Sequence, residues 1–278
     1  MNPTRSIFPL ALAVLLGLSA TTAHATPEVA SDPVAAAAQE LATQAGTHRL
    51  LLLGETHGTR EAPALMARLA AHYVQSAPVL VALELSTSID AALQRYMASD
   101  GGPRAHRELL ADPYWHLPPE QSDGRRNFEV VDLVEQLRQL RQQGKPVAVL
   151  AMDNPVGTPA GSEARDLAMA GRIRAAFATL PADGRLLVLA GNVHAMKAKP
   201  LFAPPEMQTP MGARLRDLDP YSAFTMAGEG EYWACINGTC GPQAVEKRSI
   251  VSGENGDPSY DYRLALPRYT LARMIPEK

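Results

Sequence analysis

Four short apolar runs alternate along the chain with longer segments in which apolar residues recur at helical spacing. The runs cover residues 50–53, 79–83, 147–152 and 186–190, and runs of this length predict buried strands. Helices are predicted at residues 33–45, 61–75, 88–98, 128–143 and 163–180. Strands that alternate with helices favour a parallel sheet whose crossovers are those helices. The sequence therefore predicts an α/β fold with a mostly parallel central sheet and helices on both faces.

The pattern changes in the last quarter of the chain. Short strand-like runs at residues 221–227, 232–236, 263–266 and 269–274 are separated by Gly, Asn and Pro without intervening helices. This spacing predicts antiparallel hairpins that extend one edge of the sheet near the C-terminus. Residues 100–126 are rich in Gly, Pro and charge and show no clear period. They are interpreted as an insertion near the functional edge of the sheet.

The first 25 residues have the features of a secretory signal. Arg5 precedes an apolar run at residues 7–18, and Ala23-His24-Ala25 supplies the small-residue ending of a cleavage site. The run is too short to span a bilayer. We expect an exported protein, periplasmic or secreted, in which residues 26–278 form a single domain without a transmembrane segment. The sequence leaves its oligomeric state open.

Charge and cysteine content limit the partners that are expected and the possible states of the two cysteines. The chain has 26 basic and 29 acidic residues, so no nucleic-acid partner is expected. Its two cysteines, Cys235 and Cys240, flank Asn237-Gly238, a pair that favours a type I′ hairpin turn. A disulfide across this hairpin is the favoured interpretation for an oxidising compartment. The alternatives are a metal ion held by the two cysteines, or two free thiols.

Each predicted strand of the parallel sheet ends beside a protonatable side chain. Gly54-Glu55-Thr56-His57 follows the first run and Gly191-Asn192-Val193-His194 follows the fourth. Glu84 follows the second run, and Asp153 follows the third. The carboxyl ends of parallel strands form one edge, where ligands and chemistry collect. These four groups of residues are therefore expected to meet there.

The residue types at this edge suit the attack of an activated water molecule. A histidine can take a proton from water, a carboxylate can orient its ring, and an arginine can stabilise an oxyanion. Either His57 or His194 could be the base. Alternatively, a divalent metal such as zinc or manganese could activate the water. Its ligands would come from four residues, His57, Glu84, Asp153 and His194.

Four of these candidates also have simpler interpretations. Glu55 and Glu84 could each cap a helix, since a carboxylate at a helix start is favourable. Asp153 precedes Asn154-Pro155 and could form a turn. Arg165 lies in the first turn of its predicted helix, where a cation opposes the helix dipole. This position indicates an anionic partner, although a solvated arginine is the default.

Four ordered motifs together resemble a known superfamily. They are Gly54-Glu55-Thr56-His57-Gly58, Ala82-Leu83-Glu84, Arg165-Asp166-Leu167-Ala168-Met169-Ala170 and Gly191-Asn192-Val193-His194-Ala195. In this order they are similar to the erythromycin esterase and ChaN-like superfamily, which is related to the Tiki and TraB proteins. The resemblance implies a parallel α/β sheet with a hydrolytic site at its carboxyl edge. The site residues implied are Glu55, His57, Glu84, Arg165 and His194.

The branches of this superfamily imply different functions. Only Thr56 separates Glu55 from His57, as in the ChaN-like branch, whereas the esterases have one more residue there. We expect an exported hydrolase that cleaves an ester or amide bond of a small-molecule or peptide substrate. The alternative is a non-enzymatic haem- or metal-binding protein of the ChaN type. For that role Tyr114, Trp115 and His116 could form a haem-stacking surface, or they could simply anchor a loop.

Overall fold

A computed structural model describes residues 1, 32–116, 118, 122–155, 158 and 161–276 of the chain. Residues 2–25, which carry almost all of the predicted export signal, lie outside the described residues. Residues 31–278 belong to one compact unit.

The centre of this unit is a seven-stranded sheet with the strand order β3-β2-β4-β1-β5-β9-β8. All neighbouring strands are parallel except β8, which is antiparallel to β9. A separate antiparallel hairpin consists of β6 and β7. The predicted α/β class with a mostly parallel sheet is confirmed. The strands are β1 Leu50–Glu55, β2 Val79–Ser86, β3 Val147–Asp153, β4 Arg185–Gly191, β5 Tyr221–Ala227, β6 Glu231–Ile236, β7 Thr239–Ala244, β8 Gly253–Glu254 and β9 Tyr262–Leu266.

Helices cover both faces of the sheet. They are α1 Pro33–Ala45, α2 Glu61–Tyr73, α3 Asp90–Met97, α4 Pro103–Leu110, α5 Phe128–Gln142, α6 Ser162–Ala178 and α7 Asn192–Ala195. Leu51 and Leu53 of β1 belong to the core that contains buried residues of α1, α2, α3 and α5, whereas Leu50 and Leu52 belong to the core that contains α6. Successive strand residues point to opposite faces, so a strand covered on both faces is apolar throughout. None of the described helices has the length and apolar character needed to cross a membrane.

The structure differs from the sequence-based expectations in two regions. The region 100–126 contains the helix α4, whose only buried residue is Leu109, so no apolar face marks it in the sequence. In the C-terminal part, β5 and β9 join the sheet in parallel, and the antiparallel extension is limited to β8 and the separate β6–β7 hairpin. Residues 269–274 make only isolated bridges. Strand direction depends on the partner strand, which the local pattern does not encode.

The structure contains a disulfide across the β6–β7 hairpin. Cys235 and Cys240 lie directly opposite each other on β6 and β7 and are bonded. Asn237 and Gly238 both have positive φ, as a type I′ turn requires. The disulfide therefore clamps the hairpin next to its turn.

Candidate active site

The polar residues predicted from the strand ends meet at the carboxyl edge of the sheet. Glu55 and Asp153 are the last residues of β1 and β3, and Glu84 lies near the end of β2. All three carboxylates are buried. His57 follows β1 by two residues, and His194 lies in α7, which begins directly after β4. The parallel strands thus deliver side chains separated by up to 139 positions to one place.

Glu84 is the centre of a buried network of charges. Its Oε2 accepts a hydrogen bond of 2.6 Å from the backbone N–H of Gly191. Its Oε1 accepts hydrogen bonds from the guanidinium groups of Arg125 and Arg165. Burial alone would raise the pKa of Glu84, but the surrounding cations, Arg125 first among them, hold that pKa well below its usual value. Glu84 is therefore an ionised carboxylate that fixes both arginines.

Arg125 is a site residue that the sequence analysis missed. Its Nη1 donates to Glu84 Oε1 at 2.9 Å and to Asp153 Oδ2 at 2.8 Å. Its Nε donates to Asp123 Oδ2 at 2.9 Å, and Arg125 holds the pKa of that carboxyl down at about 2 although burial opposes the shift. Arg125 lies in the aperiodic region 100–126, where no pattern distinguishes it from other arginines. Only the path of the loop brings it to the site.

His57 forms a dyad with Glu55. Its Nδ1 lies 2.9 Å from Glu55 Oε1, and its Nε2 lies 3.8 Å from Glu84 Oε2. Nδ1–H donates to the Glu55 carboxylate, so the neutral ring keeps a lone pair on Nε2. Burial would lower the pKa of His57, but the negative charges of Glu84 and Glu55 outweigh it and raise that pKa above 6.5. The dyad has the arrangement of a general base with its orienting carboxylate.

His194 differs from His57 in that both of its ring nitrogens make hydrogen bonds to described side chains. Its Nδ1 lies 2.8 Å from Asp166 Oδ1, and its Nε2 lies 2.9 Å from Arg165 Nη1. A guanidinium can only donate, so Nε2 accepts this hydrogen bond and Nδ1–H donates to Asp166. Asp166 is itself fixed by the backbone N–H of Met211 at 2.7 Å. The proton-accepting atom of His194 is therefore occupied, and the residue orients Arg165.

The four predicted metal ligands do not fit a cation. The Arg165 guanidinium donates hydrogen bonds to Glu84, Asp153 and His194, so it occupies the atoms that would bind the metal. Among the described residues, no group of three or more His, Cys, Asp or Glu side chains could hold a metal ion. A cation there would have to displace a buried arginine.

Tyr114 and Trp115 lie in the hydrophobic core, only 3% and 1% exposed. His116 Nε2 lies 2.6 Å from the carbonyl oxygen of Leu110. The guanidinium of Arg126 stacks on the Tyr114 ring at 4.6 Å. These positions match the interpretation as an aromatic loop anchor, and neither ring presents an open face for haem stacking.

Two motif glycines allow close approach around His57. Gly58 has a φ of +69°, and its carbonyl accepts hydrogen bonds from the backbone N–H groups of Trp233 and Ala272. A Cβ on Gly58 would lie 2.6 Å from the Trp233 nitrogen, and a Cβ on Gly191 would lie 2.8 Å from His57 Nε2. These glycines thus bring the β6–β7 hairpin against the His57 loop and leave space at the base.

A cleft of about 820 Å³ opens beside His57. It lies between the ends of β1, β4 and β5 and the β6–β7 hairpin. Its lining includes Glu55, His57 and His194 and apolar residues from β5 and the hairpin. The volume is within the range of small-molecule sites. Phe224, Met226, Tyr232, Trp233 and Val245 belong to the apolar part.

Comparison with known proteins identifies the fold. No protein-family model matches the chain, and the search of curated proteins gave no match. Among solved structures, a succinoglycan biosynthesis protein is similar with a TM-score of 0.64 and 11% identity, covering 85% of this chain and 92% of its own. A Bacillus cereus protein has a TM-score of 0.55 and 14% identity, with coverages of 85% and 92%. An erythromycin esterase variant in its open conformation has a TM-score of 0.59 and 12% identity, with coverages of 83% and 93%. The erythromycin esterase fold expected from the sequence motifs is therefore confirmed.

Proposed function

We propose that the protein is a hydrolase that cleaves an ester or amide bond by direct attack of water, with His57 as the general base. The observation that carries this proposal is the difference between the two histidines. No described residue donates a hydrogen bond to His57 Nε2, the acceptor atom of a carboxylate-oriented ring in the wall of an open cleft. The corresponding atom of His194 is occupied by Arg165. The fold shared with an erythromycin esterase is consistent with this chemistry.

The reaction proceeds in two proton transfers. A water molecule at His57 Nε2 attacks the carbonyl carbon of the substrate and gives its proton to Nε2. The resulting imidazolium is stabilised by Glu55 at Nδ1 and by the nearby charge of Glu84. When the tetrahedral intermediate collapses, the C–O or C–N bond breaks and the imidazolium returns its proton to the leaving alkoxide or amine.

We assign to Arg165 the stabilisation of the oxyanion of that intermediate. A guanidinium has five N–H groups, and four of those on Arg165 donate to Glu84, Asp153 and His194. Within the described part of the chain, one Nη1–H has no partner. The Nη1 atom lies 2.9 Å from Nε2 of His194, a residue of the cleft wall. A fixed cationic donor in a largely buried position stabilises developing negative charge without having to reorganise.

We further propose that the protein acts outside the cytoplasm, in the periplasm or as a secreted protein. The signal-like segment at residues 1–25 and the Cys235–Cys240 disulfide support this location. The substrate would then be a small molecule or peptide encountered there.

The direct test is a screen of ester and amide substrates with the purified protein in H₂¹⁸O. We expect turnover on at least one substrate, with a single ¹⁸O atom in the acid product and in no other position. A protein that hydrolyses none of the esters and amides would contradict the proposal. Incorporation of oxygen from another source would contradict the attack by water.

The pH dependence of kcat/KM should report the His57 dyad. The base must be neutral to act, so the rate should rise with pH through the raised pKa of His57, above 6.5. In Glu55→Gln the negative charge that raises this pKa is lost, so the inflection should move to lower pH while the maximal rate falls. Glu108→Gln, at an exposed position on α4, should leave the inflection in place. An identical inflection in wild type and Glu55→Gln would argue against the dyad.

Gly191→Ala should reduce activity without unfolding the protein. The added Cβ would lie 2.8 Å from His57 Nε2, so the ring must shift away from the cleft. We expect kcat to fall at least tenfold. The matched control is Gly171→Ala, because Gly171 lies in the interior of α6 with nothing within 4 Å of its Cβ position. This change should leave kcat unaltered and raise stability by about 0.5–1 kcal/mol.

A further inference from the structure

The surroundings of His57 differ on its two sides. Toward β2 and β3 lies the charged network of Glu84, Asp153 and the two arginines. Those residues do not belong to the cleft lining, which extends instead toward β5 and the β6–β7 hairpin. A substrate whose scissile carbonyl sits at His57 therefore has only the second side in which to place the rest of its structure.

That second side carries a wall of large apolar side chains. Phe224 and Met226 come from β5, and Tyr232 and Trp233 come from β6. The lining also contains Glu246 and Arg248, which have opposite signs, and Asp123, whose charge is balanced by Arg125. A wall of aromatic rings without a net charge favours a neutral ring system over an ion or a polar chain.

Trp233 is held rigidly in this wall. Its indole Nε1–H donates to the carbonyl oxygen of Ser122 at 2.7 Å, and its backbone N–H donates to the carbonyl oxygen of Gly58 at 3.3 Å. It therefore connects the hairpin both to the loop of Arg125 and to the residue after His57. The Cys235–Cys240 disulfide clamps the same hairpin two residues further on. A preorganised wall loses little conformational entropy when a ligand binds.

We propose that the cleft between His57 and the β6–β7 hairpin binds a neutral, apolar, ring-bearing group of the substrate, and that Tyr232 and Trp233 determine this specificity. This inference rests on the proposed hydrolase function and names its substrate class. Esters and amides of aromatic alcohols, amines or acids belong to this class. Highly charged or sugar-like substrates do not.

The test uses 2-naphthol as a neutral ring ligand that cannot be hydrolysed, with glucose as a polar ligand. Isothermal titration calorimetry should detect binding of 2-naphthol but not of glucose, with similar Kd for wild type and His57→Ala. Trp233→Ala and Tyr232→Ala should each weaken binding about tenfold. Trp233→Phe, which keeps a ring and loses the Ser122 hydrogen bond, should stay within about threefold of wild type. Phe202→Ala, at a fully exposed loop position, should bind as wild type does.

If Trp233→Ala fails to fold, Tyr232→Ala still tests the proposal. The Tyr232 side chain makes no hydrogen bond to a described residue, so its removal breaks none of them. Absence of 2-naphthol binding, or equal binding by all the folded aromatic variants, would overturn the specificity proposal. Binding of 2-naphthol together with no turnover on any ester or amide would instead overturn the hydrolase and leave the apolar site supported. The two failures are therefore distinguishable.

Discussion

His57→Ala should lower kcat by about 10³-fold or more, because it removes the only ring nitrogen of the dyad that can take a proton from water. General bases contribute about 10²–10⁴-fold to rate, and the lost orientation of the attacking water adds to that effect. The ring is partly exposed at the cleft, but its removal takes away the hydrogen bond to the buried Glu55 carboxylate, so stability should fall by about 1–3 kcal/mol with the fold retained. The measurement is kcat on the best substrate of the screen, together with a thermal melt to confirm folding.

The matched control is His194→Gln, which tests the other motif histidine. His194 accepts from Arg165 and donates to Asp166, and a glutamine amide can both accept and donate. We expect a loss of about tenfold, through a less well oriented arginine. Added imidazole should restore part of the rate of His57→Ala and have no effect on His194→Gln. A larger loss in His194→Gln than in His57→Ala would reverse the assignment of the base.

Glu84→Ala should destabilise the protein by about 3 kcal/mol, because it removes one of the two buried carboxylates that Arg125 and Arg165 share. Removing one member of a buried ion pair typically costs about 3–5 kcal/mol. The lower end applies because Asp153 still accepts from both Arg125 and Arg165. The backbone N–H of Gly191 also loses its acceptor. The free energy of unfolding from urea denaturation measures the effect, and hydrolysis should be lost as well.

Glu108→Ala is the control for this change. Glu108 pairs with Arg104 one helical turn away, and both side chains are exposed, so screening by water leaves the pair little effect on stability. We expect its urea midpoint to match that of wild type. Equal stability of Glu84→Ala and Glu108→Ala would mean that the network does not support the fold. Glu84→Gln should lie between wild type and Glu84→Ala, since it keeps a hydrogen-bond acceptor for Gly191.

The sequence determined the main architecture because local patterns carry the needed information. The apolar run at residues 50–53 predicts a strand covered on both faces, and all four leucines are buried. The helical spacing at residues 128–143 corresponds to α5, Phe128–Gln142. The two Gly-x-x-His motifs indicated the edge that carries the candidate site, since parallel strands bring their carboxyl ends together whatever the order of the strands.

The sequence could not assign different roles to the two histidines. Each has a carboxylate within hydrogen-bonding distance of Nδ1, Glu55 for His57 and Asp166 for His194. The difference arises at Nε2, where Arg165 contacts His194 from 29 positions away. It is the position of α6 on the sheet that produces this contact.

Only the tertiary structure decided the remaining features of the site. Arg125 joins it from a loop without periodicity and pairs with Glu84 across 41 positions. Arg125 and Arg165 occupy the oxygen atoms of Glu84 and Asp153 that the sequence offered to a metal, and Arg165 also occupies His194 Nε2. The direction of β5 and β9 likewise depends on strands distant in the chain. Periodicity records what each segment buries, whereas charge pairing and strand direction depend on which segments become neighbours, and that information exists only in the folded chain.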